Sequence, residues 1–177
     1  MKLEGYEGNP IGADEWGNIK ARAITRSEMN DASAQGKAFA WSSTYTTAGA
    51  ESVLYIKNTS ASSNMELHSI ILGSSANTIF TLYQATGTAA GTAITGANLN
   101  LGSTKSAEAS SYGNAAVTGL TNGNVLSRIR ILANYSDRFD FEGSIIVPPN
   151  TAVVLGVSAL ITFEATIYGH FNSLETK

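Results

Sequence analysis

From Ala38 onward, hydrophobic and polar residues alternate with a period of two along most of the chain, the spacing of strands that bury one face. AFAWSSTY puts Phe39, Trp41 and Tyr45 on one face. ESVLYIKN puts Leu54 and Ile56 on one face, with Val53 and Tyr55 on the other beside Glu51 and Lys57. MELHSIILG and TIFTLYQA follow, parted by Ser74–Asn77, a polar break of hairpin size. In VLSRIRILANY, Val125, Ile129 and Ile131 oppose Arg128 and Arg130. In RFDFEGSIIV, Phe139, Phe141, Ile145 and Val147 oppose Asp140 and Glu142. The closing TFEATIYGHFN sets Phe163, Ile167 and Phe171 against Glu164, Thr166, Tyr168 and His170.

Two segments depart from this alternation. In GSIIVPPNTAVVLGVSA (Gly143–Ala159), Pro148 cannot donate to a ladder, Pro149 pre-sets a turn position and Asn150 tolerates the next. The segment reads as a strand, a rigid corner and a second strand, with Thr151–Leu160 apolar on both faces. One face should build the core; the other, carrying Val154, is expected to form a subunit contact. The stretch Ala85–Asn124 is small and polar, with Ile94, Leu99, Leu101, Val117 and Leu120 as anchors for short strands and Asn122-Gly123 as a turn signal.

The N-terminal region has no periodicity. Residues 1–18 are polar and Gly-rich and read as an extended arm with Trp16 as its anchor, while Ile19–Thr25 alternates like a strand. TRSEMNDASAQG is the best helix candidate: Thr25 or Ser27 caps it and Gly36 stops it. The expected organisation is an arm (1–18) followed by one β-sandwich domain (19–177). Roughly eight to ten strands with one short helix make the fold class all-β, with a jelly roll preferred over an immunoglobulin-like sandwich.

Composition narrows the function. Only 14% of the 177 residues are charged, against about a quarter in typical domains. The net charge of −3 leaves no basic footprint for nucleic acid. The absence of cysteine removes disulfides, thiolate metal sites and a Cys nucleophile, and fits assembly in a reducing cytoplasm. No secretory h-region or membrane-length apolar run is present, so no export signal and no membrane partner are expected. The sequons at Asn58 and Asn134 read as chance in a chain rich in Asn, Ser and Thr.

Candidate chemistry is sparse. No G-x-S-x-G elbow, P-loop, dinucleotide fingerprint or EF-hand occurs. His68 falls in a strand-like run and His170 on the polar face of the last strand, with no second ligand at a helical or H-x-H spacing. No catalytic residue, metal or cofactor is expected. Asp137, Asp140 and Glu142 cluster in NYSDRFDFEG; the alternation makes Asp140 and Glu142 the solvent side of a strand and puts Asp137 in the preceding turn. Calcium binding or glycosidase chemistry there are the alternatives to a solvated face. Tyr112 and Trp16 are conceivable stacking platforms for a glycan, set against ordinary packing roles.

An extended polar arm, a charge-poor strand-rich body and a late strand–PPN–strand unit together resemble virion structural proteins of tailed bacteriophages, most closely head decoration (cement) proteins. The likeness rests on ITRSEMNDASAQGKAFAWSSTY, VLYIKNTSASSNMELHSIIL, GTAITGANLN and GSIIVPPNTAVVLGVSA with its closing TIYGHF. It implies a non-catalytic protein of the virion that binds the major capsid protein or other virion proteins and forms a symmetric homo-oligomer, most often a trimer. Trp16 in the arm and Val154 on the second face are the expected interface residues. The alternatives are a receptor- or glycan-binding module of a tail or head fibre, and a carbohydrate-active enzyme using Asp137, Asp140 or Glu142.

Overall fold

The computed structural model describes residues 27–173. The expected arm with Trp16 and the expected strand Ile19–Thr25 lie outside the described residues. Helix α1 (Glu28–Ala34) begins at Ser27, whose hydroxyl accepts from the Asn30 amide at 3.3 Å, and stops before Gly36, which takes φ +67°. The strands are β1 (Ala38–Thr46), β2 (Glu51–Asn58), β3 (Ser63–Ser74), β4 (Thr78–Ala90), β5 (Ala93–Ile94), β6 (Ala97–Asn98), β7 (Ala109–Tyr112), β8 (Thr118–Ile131), β9 (Tyr135–Val147), β10 (Ala152–Val157) and β11 (Thr162–Ser173).

These strands form an all-β sandwich. One sheet has five strands in the order β6-β1-β11-β3-β9; the other has six in the order β5-β7-β2-β10-β4-β8. No two consecutive strands are ladder partners among the described residues. The long pairings are nested instead: β1 with β11, β2 with β10, β3 with β9 and β4 with β8, all antiparallel. Lateral pairing of β11 with β3 and of β10 with β4 completes the sheets. The inner faces meet in one core that includes Phe39, Trp41, Leu54, Phe80, Leu155 and Phe163.

The expected hairpin at Ser74–Asn77 is a corner between sheets. β3 and β4 lie in opposite sheets, and the Ser74 hydroxyl folds the break by donating to the Ala76 carbonyl at 2.6 Å. The Pro-Pro-Asn segment is a corner of the same kind, from β9 to β10, with Asn150 at φ 61°. Its geometry is held by the fully buried Asn58. The Asn58 Nδ2 donates to the carbonyls of Ser63 at 2.8 Å and Val147 at 2.9 Å, and its Oδ1 accepts from the Ser60 amide at 2.9 Å.

Bulges explain where alternation misleads. Asn122 and Gly123 lie within β8, where Ala85 pairs with Asn122 and Tyr83 with Val125, so two residues of β8 stand opposite Gln84 alone. Leu82 next pairs with Ser127, leaving Leu126 as an extra residue. This parity change turns Val125 outward, 45% exposed, while Ile129 and Ile131 stay buried. In β2, pairing of Leu54 with Leu155 and Ser52 with Gly156 leaves Val53 bulged, and it joins Leu54 and Ile56 in the main core.

Gly96 is packed over the Trp41 indole. A Cβ there would lie 2.6 Å from Trp41 Nε1 and 2.8 Å from its Cε2. Trp41 has no exposed surface, so the ring has no room to yield. Gly96→Ala should lower stability by about 1–3 kcal/mol, read as a fall in the denaturant midpoint at constant slope.

Candidate functional site

Two features of the described residues stand out, one at the open edges of the two sheets and one beneath helix α1.

The first is an asymmetry of the sandwich edges. On one side, β6 pairs with β1, β7 pairs with β2 and β5 adds to β7, so the 91–117 segment covers both edges. On the other side the outermost strands are β9 and β8, with 13 and 14 residues. Neither has a partner on its outer edge among the described residues. Long bare edges are what proteins that remain single ordinarily shorten or cover. These edges and their turn also carry Val125, Leu126, Leu132, Tyr135 and Ile146, all between 43% and 57% exposed. A recess of about 400 Å³ opens between them, walled by Leu126, Ile146, Pro148 and Val153. Charge is divided between the strands. β8 carries Arg128 and Arg130 and no acid, whereas β9 carries Asp137, Asp140 and Glu142 against Arg138.

The second feature is a histidine pair. His170 lies in β11 opposite Glu66 of β3, and its ring centroid is 5.1 Å from that of His68. The expectation of a solvent-facing His170 fails: the residue has no exposed surface. Helix α1 packs on this part of β11 and β1 and covers what alternation reads as the polar face. Neither nitrogen of His170 has a hydrogen-bond partner, and His68 Nε2 is also buried without one. Burial holds the His170 imidazole below the usual histidine range, with the Glu66 carboxylate pulling it up and His68 pushing it down.

The backbone is distorted where His68 sits. Against β11, Ser69 pairs with Tyr168 and Leu67 with Gly169, leaving His68 bulged. Against β9, Leu67 pairs with Ile145 and Ser69 with Asp140, so Phe141–Ser144 loop out opposite His68. That loop is built on Glu142 at φ 50° and Gly143 at φ 78°. Gly143 lies close to both groups: a Cβ there would lie 3.4 Å from Glu66 Oε2 and 3.8 Å from His68 Nε2, in ordinary contact, and it is the positive φ that favours glycine. Glu66 Oε2 lies 3.7 Å from His170 Nε2, and its Oε1 accepts from Asn172 Nδ2 at 2.9 Å. Glu28, the first residue of α1, completes the group: one ligand atom from each of Glu28, His68 and His170 lies within 4.8 Å of the others.

Val154 is fully buried, so its side chain is not a surface contact. It sits in a cross-strand row on the outer face of the six-stranded sheet, Tyr112–Tyr55–Val154–Tyr83–Val125. Its flanking tyrosines, with Val117 and Leu120, form a second small core. Burial pushes the Tyr55 hydroxyl up from its ordinary value, with Tyr112 adding to the effect. Tyr112 is half-buried, with its ring centroid 6.0 Å from that of Tyr55. Asp137 lies within β9, paired with Leu72, and not in the preceding turn. Asp137, Asp140 and Glu142 are exposed, and Asp140 pairs with Arg138 Nε at 2.8 Å. No helix among the described residues is long and apolar enough to cross a membrane.

The histidine pair is not legible in the sequence because His68 and His170 are 102 positions apart, on the separate strands β3 and β11. Only the pairing of β3 with β11 brings them together. No family model, curated protein or solved structure matches this chain.

Proposed function

We propose that this chain is a non-catalytic structural protein that assembles with copies of itself through its β8 and β9 edges and, in line with the resemblance of its sequence, decorates a phage capsid. The observation that carries this reading is the asymmetry of the sandwich. The molecule covers one pair of edges with its own inserted strands and leaves the other pair long, partly apolar and oppositely charged.

The occupant that fits is a second copy. The β8 edge with its arginines complements the β9 edge with its three acids. Such a contact uses different patches on the two partners, so repetition generates a ring when the rotation closes. A trimer is the smallest such ring. The nested pairing of β1–β11, β2–β10, β3–β9 and β4–β8 also supports the jelly-roll reading, an architecture used by viral capsid domains.

Charge reversal tests the contact. Arg128→Glu with Arg130→Glu sets five acids against each other across the joint. It should weaken self-association by at least ~100-fold, while leaving the fold unchanged, because both side chains are exposed. Adding Asp137→Lys and Asp140→Lys to the same chain should restore assembly. Sedimentation of the three proteins checks this; unchanged association in the reversed variant contradicts the contact. Co-sedimentation with capsids tests the decoration role separately, with saturable binding at a fixed ratio expected and no binding contradicting it.

A further inference from the structure

We propose that Glu28, His68 and His170 form a binding site for a divalent transition-metal ion of the zinc class, with Glu66 as the supporting carboxylate. Two imidazoles and a carboxylate are a donor set suited to such an ion. One ligand atom from each residue already lies within 4.8 Å of the others. Tetrahedral ligands at 2.0–2.1 Å from zinc are about 3.3 Å apart, so the three must close by roughly 1.5 Å. Glu28 is exposed and His68 half-buried, so both have room to rotate towards the fixed His170.

The second, independent observation is the state of His170. It is fully buried, and neither ring nitrogen has a partner. A buried imidazole with both nitrogens unmatched is costly unless something fills one of them. A metal ion on one nitrogen gives that nitrogen the partner it lacks. Glu66 is suited to the supporting role. Its Oε1 is held by Asn172 and its Oε2 lies 3.7 Å from His170 Nε2, a small shift short of the hydrogen bond by which a carboxylate orients a metal-bound histidine.

The backbone is arranged for the same result. β3 is bulged at His68 against β11, and β9 loops out opposite the same residue; bulges recur where a side chain must be re-aimed. Three protein ligands leave a coordination position for water or for a group from a partner. The site lies under α1 on the outer face of its sheet, bordered by the Phe141–Ser144 loop of β9, and its donor set does not depend on the assembly reading.

The test uses the full chain, stripped with a chelator and titrated with Co²⁺, whose weak visible absorption in water intensifies in a four- or five-coordinate protein site, followed by competition with Zn²⁺. One Co²⁺ per chain, displaced by Zn²⁺, is expected. His68→Ala and Glu28→Gln are the informative variants, because neither removes a fully buried side chain; His170→Asn is the third. His68→Ala should weaken binding by at least ~100-fold, and Glu28→Gln by at least ~10-fold. Zn²⁺ should raise the melting temperature of the unaltered chain and leave that of His68→Ala unchanged. Absence of a visible band in the folded, unaltered chain overturns the site. Equal affinity in the unaltered chain and both variants also overturns it, since the ion is then bound elsewhere.

Discussion

Val154→Asp is expected to unfold the protein. Val154 has no exposed surface, and its direct cross-strand neighbours are Tyr55 and Tyr83. Val117, Leu120 and Ala152 belong to the same cluster. A carboxylate at that position enters a cluster with no charged member, so it must either stay charged in an apolar setting or take up a proton at a cost. The loss should exceed about 4 kcal/mol. Since domains of this kind are stable by about 5–15 kcal/mol, most of the margin goes. The expected result is an insoluble or unfolded chain, seen by circular dichroism and by its absence from the soluble fraction. Val154→Thr keeps the shape and adds only a hydroxyl, at about 1–3 kcal/mol, and should remain folded with a lowered midpoint. A folded Val154→Asp variant of unchanged stability would mean that this face is wet.

Asn58→Ala is expected to be the most damaging polar substitution. The side chain is fully buried and joins three backbone points, at Ser60, Ser63 and Val147. The Asn58 backbone continues the junction. Its amide donates to the Thr151 carbonyl at 3.0 Å, and its carbonyl accepts from the Asn150 amide at 2.9 Å. Alanine keeps these backbone bonds but strands the Val147 and Ser63 carbonyls and the Ser60 amide. With each stranded group costing about 1–3 kcal/mol, the total should fall near 3–5 kcal/mol after relaxation. Chemical denaturation reads this directly. A loss below about 1 kcal/mol would show that water replaces the side chain. Full burial also explains why the sequon at Asn58 is structural: its amide nitrogen is already committed to two carbonyls.

The period-two alternation made the fold class legible, because one-sided strands are all that such a pattern builds. The faces of β1 and β11 and the inward set Phe139, Phe141, Ile145 and Val147 follow it directly. The capping residues of α1 were legible too, since Ser27 and Gly36 act through local chemistry. Strand partners were not legible. Short polar breaks such as Ser74–Asn77 give the length of a turn and not the sheet that receives the next strand. Bulges hid the outward turn of Val125 and the inward turn of Val53, because one extra residue reverses every face beyond it. The two-sided apolarity of β10 was visible, but its cause was not. Val154 faces tyrosines contributed by β2, β4 and β7, which only the sheet order assembles. The same limit applies to His170, whose cover comes from a helix at the far end of the chain.

The proposed assembly joins copies of this chain at the open β8 and β9 edges. The most direct measurement is the mass of the full-length protein in solution across a range of concentrations. A ring predicts a species of about three times 18.5 kDa that dissociates as salt rises, because the joint is held partly by opposite charges. A mass of 18.5 kDa at every concentration and low salt would contradict it.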